Sequence, residues 1–136
     1  MTNNNQIKDF LNENFLFFDG AMGTMLQEAG LETGELPEIL NITKPEVLSN
    51  IYKNYLKAGA NIITSNTFGA NRLKLKDSSY SVEEIIHSAV SIAKKSIIDF
   101  PATNKFVALD IGPIGTLLSP IGTLSFQDAY DIFKEQ

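Results

Sequence analysis

Cysteine does not occur in these 136 residues. That absence excludes a disulfide framework, a thiolate nucleophile and any zinc or iron–sulfur site built from this chain's own thiolates. Histidine is limited to His87, which alone cannot make a zinc site. Positive charge is scarce: 11 Lys and Arg stand against 16 Asp and Glu, a formal net charge of -5, with no basic block anywhere. The electrostatic footprint of a nucleic-acid or anionic-membrane binder is therefore missing. No apolar run approaches the roughly 20 residues needed to cross a bilayer. The opening stretch MTNNNQIKDFLNENFLFF has neither a basic n-region nor a small-residue cleavage site after an apolar core. These features predict a soluble, cytoplasmic protein with no nucleic-acid and no membrane partner. What is present is globular in composition, 43% hydrophobic and 20% charged, and its length suits one domain spanning 1–136.

Three short apolar runs read as buried strands: Phe15 to Phe18, Asn61 to Thr64, and Lys105 to Leu109. None alternates cleanly, as expected of strands covered on both faces. Helix signatures lie between them. Thr43 and Glu46 bracket a capping box with Pro45 near the first helical position, followed by Val47, Leu48, Ile51, Tyr55 and Leu56 at helical spacing and by Gly59 as a stop. Ser81 and Glu84 form a second box. It precedes an apolar stripe of Val82, Ile85, Ile86, Ala89, Val90, Ala93 and Ile97, and Pro101 closes that helix. A helix over about Gln6 to Asn12 precedes the first strand, and Ser125 opens a third amphipathic run through Ala129 and Phe133 that reaches Gln136 without a C-cap signal. The order is that of an α/β protein with repeated βα units and parallel strands. PIGTL, at Pro113 to Leu117 and again at Pro120 to Leu124, is too short an echo for a solenoid and reads as turns within one loop.

The polar residues gather where each strand ends. Phe18 runs into Asp19, Gly20, Ala21, Met22 and Gly23; Thr64 into Ser65, Asn66, Thr67, Phe68 and Gly69; Leu109 into Asp110, Ile111, Gly112 and Pro113. In parallel α/β folds these carboxyl-terminal strand ends share one rim, and ligands bind there. Each residue also has a plainer reading. Asp19 and Asp110 suit turns or helix caps. The spacing of Gly20 and Gly23 lacks both the third glycine of the dinucleotide fingerprint and the GK[ST] of the P-loop. His87 lies off the apolar stripe and reads as solvated, as do Lys74, Lys76 and Asp77 in the loop before the second long helix. Phe17, Phe18, Phe68, Phe106, Phe126 and Phe133 read as core.

Three segments carry a family resemblance: FFDGAMGTMLQEAG (Phe17 to Gly30), NITKPEVLSNIYKNYLKAGANIITSNTFGAN (Asn41 to Asn71) and ALDIGPIG (Ala108 to Gly115). Together they resemble the homocysteine-binding domain of the homocysteine S-methyltransferases, and most of all the N-terminal module of the cobalamin-dependent methionine synthases. The likeness runs over nearly the whole chain after Phe15. It implies a (β/α)8 TIM barrel in which zinc, held by three cysteines, presents the homocysteine thiolate to a methyl donor, with cobalamin and methyltetrahydrofolate acting through other modules. On the family's motifs, Asp19 and Gly20 match its DG pair, Asn66 and Thr67 its NTF, and Asp110 the residue before its IGP. All five are implied substrate-binding residues, and Asp19 is the candidate partner of the substrate ammonium.

The sequence departs from the family pattern in its cysteines, which the family carries on later strands. A barrel of this kind takes about 250 residues. The expectation is therefore the first three βα units of a truncated barrel, cut within the third helix, holding no catalytic residue and no metal ligand of its own and inactive alone. Its partners would be homocysteine and either the remainder of the barrel or a second copy joined through the open sheet edge, where apolar residues such as Phe17, Ile63 and Val107 would be left bare. The alternatives are a non-enzymatic half-barrel serving binding or assembly, and a fragment of another TIM-barrel enzyme acting on a phosphorylated substrate.

Overall fold

The computed structural model describes residues 4–136, with side chains from Ile7 onward. Among the described residues six α-helices and two strands follow one another: α1 (Asn4–Leu11), α2 (Met22–Glu28), α3 (Leu40–Thr43, entered through a 3-10 turn at Pro37–Ile39), α4 (Pro45–Lys57), β1 (Ile62–Thr64), α5 (Val82–Ile98), β2 (Phe106–Ala108) and α6 (Phe126–Glu135). β1 and β2 pair in parallel, Ile62 opposite Phe106 and Thr64 opposite Ala108. The result is an α/β fold with a small parallel sheet.

The first apolar run contributes to this sheet at one point rather than as a strand. Phe18 forms a single parallel bridge to Ile62. Asn61 N and Ile62 N both donate to Phe17 O, at 2.7 and 3.0 Å, and Asp19 N donates to Ile62 O at 2.9 Å. The ladder stops there because the Phe17 N–H is taken by the Asn61 side chain, at 3.1 Å, instead of by a strand carbonyl. The three segments nevertheless run side by side in the order first run, β1, β2, so their carboxyl ends emerge together.

Helices bury one side of this sheet. α4 packs against α5 and β1, and α5 against β2. Leu48, Ile51, Tyr52 and Leu56 of α4 join Leu26 of α2, Ile63 of β1 and Ala93 of α5 in the main core. A fully buried leucine or isoleucine is worth about 1.5–3 kcal/mol, so this cluster is what anchors the strands. A second cluster joins Ala70 and Leu75 to Val82 and Ile85, and a third, small one seats α6 through Ala129 and Ile132 on Ile114. Two of the residues expected to lie bare are therefore covered: Ile63 is fully buried, and Val107 is half-buried against the main core.

The expected core phenylalanines divide the other way. Phe106 is buried, but Phe17, Phe18, Phe68, Phe126 and Phe133 are all exposed and belong to none of the three apolar clusters. The Ser81 box forms as read, with Ser81 Oγ accepting from Glu84 N and the Glu84 carboxylate accepting from Ser81 N. The Thr43 box does not. Thr43 belongs to α3 and its hydroxyl donates to Ile39 O at 3.2 Å. α4 therefore starts from Lys44 with no side-chain cap, on Pro45 alone. Gly59, at φ +108°, ends α4 as expected.

Candidate functional site

Asp19 leaves the first run directly beside the end of β1, and its carboxylate is held at both oxygens by one residue. Thr64 N donates to Oδ2 at 2.9 Å and Thr64 Oγ1 donates to Oδ1 at 2.7 Å. The side chain is half-buried. Burial raises its pKa, the bonds from Thr64 pull it down, and the nearby Asp110 carboxylate raises it again, leaving it above the ordinary aspartate value.

On the neighbouring loop, Thr67 ties the ends of β1 and β2 together. Its hydroxyl donates to Asp110 O at 2.7 Å and accepts from Asp110 N at 3.2 Å, while Ser65 Oγ lies 3.0 Å away. With its proton committed to the Asp110 carbonyl, the remaining lone pair receives the Ser65 hydroxyl, and the group has no capacity left. A second tie runs from Gly112 N to Phe68 O at 3.1 Å. A Cβ at residue 112 would overlap that carbonyl and lie 2.8 Å from the Phe68 ring, so the loop after β2 approaches the loop after β1 this closely only with glycine there.

These loops enclose a cleft of about 260 Å³ lined by Asp19, Gly20, Ala21, Met22, Thr64, Ser65, Asn66, Phe68 and Asp110. Four of the residues named from the sequence, Asp19, Gly20, Asn66 and Asp110, thus share one cavity. Thr67 does not line it; it is buried behind the wall and fastens it. The size is just under the roughly 300–1,000 Å³ of a drug-sized ligand site and suits an amino acid. Two carboxylates and no basic side chain line it, which favours a ligand presenting a cationic group. Phe68 and Met22 add apolar wall, and the Lys74 ammonium, read from the sequence as solvated, sits 5.4 Å from the Phe68 ring centroid.

Several contributors were not singled out from the sequence. Tyr55 on α4 donates from its hydroxyl to Ala21 O at 3.2 Å, bracing the loop after the first run. Burial, followed by the Asp19 and Glu28 carboxylates, raises its pKa, so it stays a neutral donor. Behind Asn66 and Gly69 lie Glu38, Asn41 and Tyr52, all buried. The available signal for Glu38 and Asn41 is a pair of polar residues set among Leu36, Ile39, Leu40 and Ile42, an apolar run where a polar group must find an internal partner.

Residues 16–136 match the family described as homocysteine S-methyltransferase. The chain belongs to that family. Among curated relatives, the methionine synthase of Mycobacterium tuberculosis is 33% identical over 137 residues, spanning 93% of this chain and 11% of that protein. The methionine synthase of Mycobacterium leprae is 33% identical over 127 residues, spanning 86% of this chain and 10% of its own length. The chain thus covers about a tenth of these relatives. Among solved structures, the homocysteine methyltransferase MmuM from Escherichia coli superposes in its metallated form with a TM-score of 0.69 at 21% identity, over 80% of this chain and 42% of that one. Its oxidized form gives 0.71 at 23% identity, over 82% and 42%. The chain therefore shares the MmuM fold over most of its own length and under half of that protein's.

Among the described residues no helix is long and apolar enough to cross a membrane. The metal that the family resemblance implies does not fit the donors present. The chain has no cysteine, and among the described residues no three His, Asp or Glu side chains converge on a point that could hold an ion.

Proposed function

We propose that this chain is the N-terminal part of a homocysteine-binding (β/α)8 barrel, contributing its first three βα units, in a protein that methylates the thiol of homocysteine to give methionine. The observation that carries the reading is the carboxylate of Asp19, pinned by Thr64 at the mouth of an amino-acid-sized cleft that a second carboxylate shares. The family assignment supplies the substrate, and the fractional coverage of both MmuM and the methionine synthases supports a longer whole.

In this reading the 136 residues bind and orient the amino-acid end of homocysteine. Asp19 pairs with the substrate ammonium, Asp110 adds negative potential, Gly20 and Asn66 complete the wall, and Thr67 keeps the second and third loops in register. Zinc, when bound by the family's cysteines, lowers the pKa of the substrate thiol. Those cysteines are not in this chain, so activation of sulfur, and any delivery of methyl from methyltetrahydrofolate or cobalamin, is assigned to residues beyond these 136.

The test is Asp19→Asn in the full-length enzyme. The asparagine can keep both bonds to Thr64, its Oδ1 accepting from Thr64 N and its Nδ2 donating to a reversed Thr64 hydroxyl, so the fold should survive. Loss of a charge-assisted bond costs about 1.5–3 kcal/mol, and kcat/KM for homocysteine should fall by roughly 10- to 100-fold with the methyl-donor KM unchanged. Normal homocysteine kinetics in a folded Asp19→Asn enzyme would reduce Asp19 to a turn former.

A further inference from the structure

The loop that carries Asn66 and Phe68 into the cleft is held from behind by buried residues that never reach the cleft. Asn41 Nδ2 donates to Asn66 O at 2.8 Å, and Asn41 Oδ1 accepts from Asn66 Nδ2 at 3.2 Å. Asn66 Nδ2 also donates to Pro37 O at 2.8 Å, and Asn66 N donates to the Tyr52 hydroxyl at 3.1 Å. Three residues further on, Gly69 N donates to the buried Glu38 carboxylate at 2.6 Å, and a Cβ at residue 69 would lie 2.7 Å from that carboxylate oxygen.

These bonds decide which way the Asn66 carboxamide faces. The Pro37 carbonyl can only accept, so the group turned toward it must be the amide nitrogen. Asn41 is fixed by the same logic, because the Asn66 carbonyl can only accept and must face the Asn41 nitrogen. Asn66 lines the cleft, its side-chain nitrogen is committed to both partners behind, and among the described residues no donor reaches its Oδ1. An acceptor oxygen is thus left for the cleft, on the same wall system as the Asp19 carboxylate.

We propose that Asn41 is a positioning residue for ligand recognition: it locks Asn66 so that its Oδ1, with Asp19, accepts from the ammonium of the bound amino acid, while Glu38 holds the far end of the same loop through Gly69. The inference rests on the homocysteine reading. It adds a residue well outside the cleft whose loss selectively weakens recognition of the amino group. Without Asn41, the Asn66 carbonyl loses its donor and the carboxamide keeps only its bond to Pro37 O, so the loop and the Asn66 Oδ1 are held less firmly toward the ligand ammonium.

The experiment measures equilibrium dissociation constants of the full-length protein for homocysteine and for 4-sulfanylbutanoate, the same molecule without its amino group. The ratio of the two constants reports recognition of the ammonium alone, and a general loosening of the fold changes both together. Asn41→Ala should shrink that ratio about tenfold, the worth of one bond to a charged group. Asn41→Asp has the same shape but turns an oxygen toward the Asn66 carbonyl, and should shrink it as well, which covers the case of an alanine variant that does not fold. Glu38→Ala removes the acceptor of Gly69 N and should weaken homocysteine binding, and Glu38→Gln, which keeps an acceptor there, should recover most of that loss. If the unaltered protein discriminates between the ligands and the folded Asn41 variants keep the same ratio, the positioning role is wrong while the homocysteine reading stands. If the unaltered protein binds no homocysteine at all, that reading falls and the inference with it.

Discussion

Under the proposed function, Asp19 trades the stability of the fold against binding of the substrate ammonium. Its carboxyl is raised above the ordinary aspartate value, chiefly by burial and further by Asp110, in spite of the two bonds from Thr64. A carboxyl raised in the folded state stabilises that state most when it is protonated, below the unfolded value, and that contribution is lost as pH rises through the raised folded value. The ionised, unliganded site therefore opposes folding slightly. A bound ammonium reverses the balance by favouring the carboxylate, so ligand binding in the acid range must release a proton from Asp19. Homocysteine affinity should accordingly fall as pH drops through the raised value, in the acid range where the ligand's own ammonium stays fully charged. Asp19→Asn should flatten that profile while leaving the melting temperature equal or higher. Calorimetric titrations in buffers of different ionisation heat would count the proton, and a pH-independent affinity in the unaltered protein would place the ammonium elsewhere.

Helix α5 is the element whose start was most legible, because its determinants are local. Ser81 and Glu84 satisfy each other's backbone N–H groups within one turn, with Glu84 N reaching Ser81 Oγ at 3.2 Å and Ser81 N reaching Glu84 Oε2 at 2.8 Å. Ser81→Ala removes the cap and should cost about 1 kcal/mol in a denaturant melt, with no effect on the cleft; a change of under a few tenths would mean that packing of Val82 and Ile85 alone fixes the helix start. The same four-residue pattern at Thr43 gave no cap, since Leu40 and Asn41 are drawn into α3 by burial against the core and Thr43 goes with them. The apolar runs and the polar residues at their ends were legible for a related reason: both are written in consecutive residues. Glu38 and Asn41 were not, because their partners Gly69 and Asn66 stand 31 and 25 residues away. The exposure of Phe17 and Phe18 was equally hidden, for it depends on how much of the sheet the rest of the fold covers, and a continuous apolar run does not say.

At the scale of the whole chain, apolar surface remains where the helices do not reach. Phe15 is 82% exposed, Phe126 77% and Ile121 85%, and Phe17, Phe18, Leu109 and Ile111 stand open beside them in sequence at the strand ends. The two outer segments of the sheet, the first run and β2, each have one side without a strand among the described residues. Apolar area is worth roughly 25 cal/mol per Å², so a few hundred Å² left in water forgoes on the order of 10 kcal/mol, comparable to the whole stability of a domain. In the proposed barrel, later strands and helices cover this surface. Purified as these 136 residues alone, the chain should instead self-associate through the open edges or bind a dye that reports exposed apolar surface. Light scattering across a dilution series and dye fluorescence, read beside a denaturant melt, check this together. Adding the remaining part of the barrel in trans should dissolve the association and quench the dye, because it supplies the missing neighbours of Phe17 and β2. A dilute, monodisperse monomer that melts cooperatively and leaves the dye dark would show that the three parallel segments and their helices close a core unaided, and the proposal that they are the opening units of a larger barrel would lose its physical basis.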